Sequence, residues 1–130
     1  MFGLKEQHIE LINQCFEKYQ PIELVIIYGS RALGNYRPGS DIDLAIVSNE
    51  LSFQQLMKLE NELDDLLLPY KMDIVVKSKI SNPALVKHIE NFGKVFYDKT
   101  KKLAFNESPV EYKVRKKIRI EFLSFYDFRF

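Results

Sequence analysis

Apolar residues recur at helical spacing in three stretches of the chain. The first stretch, 4–20, is followed by a proline that disfavours helix at its last residue. In the second stretch, 53–68, leucines form a stripe, and Ser52 with Gln55 predicts a capping box at its start. The third stretch, 83–92, begins with a proline after a candidate N-cap asparagine and stops at a glycine. The pattern therefore predicts three amphipathic helices.

Short apolar runs between these helices predict β-strands. The run 22–28 is almost continuously apolar and β-branched, which is typical of a strand buried on both faces. The runs 41–47 and 71–77 predict two more strands, and 94–98 a short edge strand. Because only about a dozen turn-rich residues separate the first two strands, we expect them to pair antiparallel around a short helical turn. The order predicts an α/β (α+β) domain, 1–98, with a small mixed β-sheet flanked by helices.

Composition and charge limit the classes of protein to which this chain can belong. The chain has 130 residues, of which 46% are hydrophobic and 28% charged, as expected of one ordinary globular domain. Its formal net charge of +1 disfavours a nucleic-acid partner, but it conceals an uneven distribution. Residues 1–100 carry eleven basic and fourteen acidic side chains, whereas residues 101–130 carry eight and four. The positive charge is therefore concentrated at the C-terminal end.

Cysteine and histidine usage disfavours several kinds of site. The single cysteine, Cys15, cannot form an internal disulfide and fits a reducing compartment. His8 and His88 lie far apart, without the spacing of a metal-binding pair. No apolar run approaches the roughly 18 residues of a membrane span, and the first residues lack the apolar segment of a secretion signal. We therefore expect a cytoplasmic protein without a zinc site.

The C-terminal extension, 99–130, lies outside the predicted domain. Seven of its residues are aromatic, which is too many for a solvated linker, so we expect it to pack against something. Its apolar spacing fits a strand and a helix equally well. Two roles stay open: an edge element that closes the domain, and a segment that docks a partner.

Three aspartates within the predicted strands form a candidate catalytic centre. Asp41 and Asp43 flank Ile42, and because side chains alternate along a strand, both carboxylates project from one face. Their mutual repulsion would be relieved by a cation, and carboxylate oxygens on a rigid strand suit Mg²⁺. Asp73 lies in an otherwise apolar run, and it can share the site if the second and third strands are neighbours. The pattern predicts three carboxylates that hold two metal ions.

A candidate anion site lies just upstream of the acidic pair. Gly29 and Ser30 end a buried strand and open a turn, where backbone N–H groups and a hydroxyl can bind phosphate oxygens. Arg31 follows directly, and Arg37 and Ser40 lie on the same connection, so each could meet phosphate charge. Each feature alone is also explained by an ordinary turn or a solvated strand edge, but together they indicate an anion site that faces a cation site.

The ordered combination of these motifs resembles a known family. The run Gly-Ser-Arg-Ala-Leu-Gly at 29–34 is followed by Ser-Asp-Ile-Asp-Leu at 40–44, with ten residues between Ser30 and Asp41. This arrangement resembles the signature of the DNA polymerase β-like nucleotidyltransferase superfamily, and in particular its minimal nucleotidyltransferase (MNT) domains. The resemblance spans roughly residues 20–98, includes a downstream strand acid at Asp73, and implies the polymerase β-like nucleotidyltransferase fold.

The resemblance implies a role for each motif residue. Gly29 and Ser30 would hold the β- and γ-phosphates of a nucleoside triphosphate, expected to be ATP, with Arg31 and Ser40 as further nucleotide-binding candidates. Asp41 and Asp43 would ligate two Mg²⁺ ions, and Asp73 would ligate the second ion and help to deprotonate an acceptor hydroxyl. In-line attack on the α-phosphorus would then transfer AMP and release pyrophosphate.

The resemblance also suggests the acceptor. Larger relatives carry an additional domain that grips the acceptor, and since a chain of this size has no room for one, we expect another chain to supply that surface. Stand-alone MNT proteins typically pair with a HEPN-domain protein in toxin–antitoxin modules, in which the MNT member adenylylates a tyrosine of its partner. The resemblance therefore implies an antitoxin that forms a hetero-oligomer with a HEPN protein encoded nearby.

Two alternatives stay open. In the first, a homo-oligomer transfers the nucleotide to a small molecule or an RNA end, and basic residues of the extension contact phosphate: Lys113, Arg115, Lys116, Lys117 and Arg119. In the second, the chain is a non-catalytic module that neutralises its partner by binding alone. The intact triad of aspartates argues against the second alternative.

Overall fold

A computed structural model describes residues 1–100 and 108–110, and its elements follow the predicted order. A short 3-10 turn, Lys77–Lys79, follows the third strand. The helices are α1 (Glu6–Glu17), α2 (Ser30–Leu33), α3 (Phe53–Asp64) and α4 (Pro83–Phe92); the strands are β1 (Leu24–Tyr28), β2 (Ile42–Val47), β3 (Met72–Val76) and β4 (Lys94–Asp98). The roles predicted for the C-terminal extension lie outside the described residues.

The four strands form one mixed sheet in the order β3-β2-β1-β4. Strands β1 and β2 pair antiparallel around the single turn of α2, which confirms the expected topology. Strands β2 and β3 pair parallel, since α3 carries the chain back between them, and β4 pairs antiparallel with β1. The expectation that the second and third strands are neighbours is therefore confirmed.

Helices cover both faces of the sheet. One face packs against α1 and α3, where Leu59 and Leu44 of β2 are fully buried. The other face packs against α4, whose Ile89 is buried in one cluster with Ile26 of β1. Because side chains alternate along a strand, Asp43 faces the α4 side of the sheet, opposite to Leu44. In the part of the chain that the structure describes, no helix is long and apolar enough to cross a membrane.

Helix α3 begins at the predicted cap and ends earlier than predicted. Ser52 Oγ accepts a hydrogen bond from the backbone N–H of Gln55 at 3.0 Å, and the Gln55 side chain accepts one from the backbone N–H of Ser52. The prediction that the helix continues to Leu68 is wrong, because the helix ends at Asp64 and Leu67 adopts a φ of 54°. A residue in the left-handed region cannot continue a right-handed helix.

The capping box of α3 should contribute to stability without affecting any reaction. We expect Ser52→Ala to lower the free energy of unfolding by about 1 kcal/mol, because the N–H of Gln55 loses its acceptor. Urea unfolding measures this loss, and Gln54→Ala, a change at an exposed position in the same turn, serves as the control. Equal losses in the two variants would show that the cap adds nothing.

Candidate active site

The strand register brings the predicted carboxylates to one end of the sheet. Asp43 of β2 lies between Tyr28 of β1 and Asp73 of β3, since it is the register partner of both. Partners in register on neighbouring strands present their side chains on the same face, so the two carboxylates are adjacent. Asp41 lies immediately before β2, one residue from its first position. Strand β2 therefore carries Asp43, the residue around which the other candidate site residues are arranged.

The carboxylates of Asp41 and Asp73 are close enough to interact electrostatically with that of Asp43. Asp43 is partly buried, and its burial raises the pKa of its carboxyl, as do the charges of Asp73 and Asp41, while His88 opposes them. Burial, followed by the charges of Asp43 and Asp73, raises the pKa of Tyr28 to about 12. A cation held between the carboxylates would relieve this repulsion. The phenol of Tyr28 stays protonated at neutral pH.

The donor set suits Mg²⁺. The site offers carboxylate oxygens on strands that are fixed by the sheet, and Asp41 and Asp73 are exposed, so their side chains can turn without loss of packing. Within the described residues, no three Asp, Glu, His or Cys side chains already converge as a complete ligand set. The strand register places Asp43 and Asp73 next to each other, and Asp41 lies two residues before Asp43 on the same strand end.

Gly29 allows the chain to pass directly over the Asp43 carboxylate. Its backbone has φ 77° and ψ −155°, a conformation that side chains other than glycine's rarely tolerate. A Cβ atom at this position would lie 2.7 Å from Oδ2 of Asp43. Ser30, which is partly exposed, follows as the first residue of α2. The predicted anion site and the predicted metal site are therefore in contact through Gly29 and Asp43.

The other two predicted nucleotide-binding residues face the protein. Arg31 is only 2% exposed, and its guanidinium donates to backbone carbonyl oxygens, including that of Ser40 at 2.9 Å. Ser40 Oγ accepts a hydrogen bond from the backbone N–H of Arg37 at 2.8 Å. Their geometry gives both residues a role in the turn before β2, so we leave them out of the nucleotide site proposed below.

Two aromatic residues of α4 border the site and were not predicted to do so. The His88 ring lies 6.3 Å from the Tyr28 ring and 5.4 Å from the Phe92 ring, measured between centroids. Their spacing of four places His88 and Phe92 on one helix face, which the sequence does show. That this face meets the end of β1 follows only from the packing of α4 on the sheet.

Comparison with known proteins identifies the family of the chain. Residues 10–102 match the polymerase β nucleotidyltransferase family. A Methanocaldococcus jannaschii protein named as a protein adenylyltransferase, MJ0126, is 41% identical over 75 residues, or 57% of this chain and 74% of that protein. Protein adenylyltransferase MntA of Haemophilus influenzae is 29% identical over 73 residues, which cover 55% of this chain and 64% of that protein.

Solved structures share the fold at low sequence identity. A chain of a toxin–antitoxin complex crystallised with AMP-PNP has a TM-score of 0.57 at 17% identity, covering 90% of this chain and 95% of that chain. A complex of tri-AMPylated Shewanella oneidensis HEPN toxin with MNT antitoxin has a TM-score of 0.55 at 15% identity, covering 93% and 97%. Together with the family match over 10–102, the mixed sheet with its aspartate pair shows that this chain belongs to the polymerase β-like nucleotidyltransferases.

Proposed function

We propose that this chain is a Mg²⁺-dependent protein adenylyltransferase that transfers AMP from ATP to a tyrosine of a HEPN-domain partner and thereby acts as an antitoxin. The observation that carries the proposal is the alignment of Asp43 with Asp73 across the parallel strands, directly beneath the backbone of Gly29. This geometry supports a carboxylate cluster and an approach for phosphate at the same end of the sheet. The named relatives and the toxin–antitoxin neighbours support the choice of a protein acceptor.

The proposed roles follow from where each group lies. Asp41, Asp43 and Asp73 would hold two Mg²⁺ ions, which supply charge stabilisation for the attacking and leaving oxygens when bound. The Gly29 backbone and the Ser30 hydroxyl would bind the triphosphate at the end of β1, where glycine leaves the backbone free of a side chain of its own. Asp73, exposed at the outer strand, accepts the proton of the acceptor hydroxyl on a carboxylate oxygen.

The position of β3 at the sheet edge suits a large acceptor. In the described part of the chain, β3 pairs with β2 alone, so its other edge faces away from the sheet. A tyrosine carried by another protein can therefore approach Asp73 from that side. The free thiol of Cys15 is buried in α1, which is compatible with the reducing, cytoplasmic setting that we propose.

A transfer assay tests the proposal directly. The chain is incubated with Mg²⁺, ATP and the HEPN-domain protein encoded beside it, and the intact mass of that partner is followed. We expect the mass of AMP to be added on tyrosine, the addition to stop with a chelator, and Asp73→Asn to slow it about a hundredfold because the hydroxyl loses its proton acceptor. Asp64→Asn is the matched control, since Asp64 is an exposed acid of α3, on the opposite face of the sheet.

Other results of this assay would support a different function for the chain or a different role for Asp73. A tight complex without any transfer would favour a module that acts by binding alone. Transfer to RNA ends or small molecules but not to the partner would favour the homo-oligomer alternative. Full activity of Asp73→Asn would remove Asp73 from the reaction.

A further inference from the structure

Arg31 is the most deeply buried cationic group near the proposed site. Its Nε and Nη2 both donate to the carbonyl oxygen of Ser40, at 3.1 and 2.9 Å, and Nη2 also reaches that of Pro38 at 3.4 Å. Its Nη1 donates to the carbonyl oxygens of Phe2 and Gly3, at 3.0 and 3.5 Å. The guanidinium therefore joins the N-terminal residues to the end of the 34–41 connection.

Two tyrosine rings enclose the same guanidinium. Its central carbon lies 5.3 Å from the ring centroid of Tyr36 and 5.1 Å from that of Tyr70, which are cation–π distances. The Tyr70 hydroxyl is in turn 3.1 Å from Nδ1 of His8. The ring contacts add a third chain segment, 70–73, to the two that the hydrogen bonds already join.

Two of the three contacted segments, those at Ser40 and Tyr70, lead directly into the strands that carry the aspartates. Ser40 immediately precedes Asp41, so the two hydrogen bonds to its carbonyl fix the peptide group that Asp41 shares with it. Tyr70 precedes Lys71, whose carbonyl accepts a hydrogen bond from the N–H of Ile42 at 2.8 Å, at the point where β2 and β3 begin to pair. Arg31 thus contacts Ser40 and Tyr70, each two residues before a strand that leads to a carboxylate of the proposed site.

This arrangement needs arginine. Desolvating a cation is costly, and within the described residues the guanidinium has carbonyl oxygens and aromatic rings as its partners instead of a carboxylate. Only the planar fork can give two hydrogen bonds to one oxygen while it lies over two aromatic rings; an ammonium group cannot. Because burying the Arg31 cation costs folding free energy, its presence in this geometry indicates that the geometry has a function.

We infer that Arg31 is a positioning residue that fixes the backbone before Asp41 and so holds Asp41 beside Asp43 and Asp73, which sets the affinity of the carboxylate cluster for divalent metal. This differs from the phosphate contact that the sequence predicts for Arg31. It rests on the proposed function only for the metal, since the contacts themselves are independent of any reaction.

The test measures metal binding without nucleotide. Mn²⁺ alone is titrated against the full chain, and the free ion is followed by its EPR signal. We expect Arg31→Lys to weaken Mn²⁺ binding about tenfold, as is typical when a residue that orients a metal ligand is replaced. Leu59→Ala, which removes a fully buried side chain of α3, is the control for lost stability and should leave the Mn²⁺ affinity of the folded protein unchanged.

Each outcome decides between explanations. Unchanged Mn²⁺ affinity in Arg31→Lys, with a raised KM for ATP, would overturn the inference and restore a phosphate contact. Equal weakening in Leu59→Ala would reduce Arg31 to a purely structural residue. If Arg31→Lys does not fold, Tyr70→Leu, which removes one stacked ring and keeps the guanidinium, should weaken binding several-fold, and no weakening there overturns the inference. A wild-type chain that binds no Mn²⁺ would overturn the proposed metal site, and this inference with it.

Discussion

Asp43→Asn should lower AMP transfer about a thousandfold and at the same time make the metal-free protein more stable. The Asp43 carboxylate is partly buried and faces Asp73 across the β2–β3 pair, with Asp41 two residues away, and these surroundings raise its pKa. A raised carboxyl pKa means that ionisation costs the folded state stability. Asparagine has nearly the same shape without the charge, so it removes that cost together with the central metal ligand.

The pH dependence of this gain follows from the same shift. Below the ordinary aspartate pKa of about 3.9, Asp43 is protonated in both the folded and the unfolded chain, so wild type and variant differ little. As the pH rises through the raised pKa of the folded state, ionisation destabilises the wild type only. The difference in melting temperature should therefore be largest at neutral pH and should vanish in acid.

With Mg²⁺ and ATP present, the wild type should become the more stable of the two proteins, and it should also be the more active. Mg²⁺ with ATP should raise the melting temperature of the wild type by mass action and leave Asp43→Asn unchanged. Transfer of AMP should fall about a thousandfold, the scale seen when a group that stabilises transition-state charge is removed. Asp64→Asn removes the same charge on the opposite face and should do neither. If Asp43→Asn were less stable than the wild type at neutral pH without metal, the carboxylate would contribute to folding instead of opposing it.

The sheet and the acidic cluster could be predicted because their signals are local. A continuous β-branched run, an aspartate pair at spacing two and a proline or glycine after each helical stripe each depend on neighbouring residues alone. The antiparallel pairing of β1 and β2 followed from the short connection, and it brought Gly29 and Asp43 together as expected. The position of Asp73 followed once the third strand was placed beside the second.

The positions of the Arg31 and His88 side chains could not be predicted, because they depend on tertiary packing. In the sequence, Arg31 directly follows the predicted phosphate-binding residues. The direction of its side chain is set by the carbonyl oxygens of Phe2, which is distant in the sequence, and of Ser40, which is nearby. His88 reaches Tyr28 only because α4 crosses the sheet at the end of β1. Side-chain direction at a strand end is set by what packs around it, and this information is spread along the whole chain.

Gly29→Ala should reduce transfer about a hundredfold, because its new methyl group would collide with the Asp43 carboxylate. The Cβ would lie 2.7 Å from Oδ2 of Asp43, so the carboxylate must move, and a displacement on the order of 1 Å at a reacting centre can have this effect. The same methyl group would occupy the surface that the triphosphate needs. The φ of 77° adds backbone strain on the order of 1–3 kcal/mol, which lowers the free energy of unfolding.

Gly34→Ala separates the collision from the strain. Gly34 also has a positive φ, 90°, but nothing lies within 4 Å of the position that its Cβ would take. We therefore expect Gly34→Ala to lose stability in urea unfolding, about 1–2 kcal/mol, while the folded molecules keep their kcat/KM for AMP transfer. Equal activity losses in the two variants would mean that strain alone disables the enzyme. A loss confined to Gly29→Ala means that the approach of the chain over Asp43 is itself a requirement of the reaction, because both variants place a Cβ at a positive φ and only the one at Gly29 meets a neighbouring side chain.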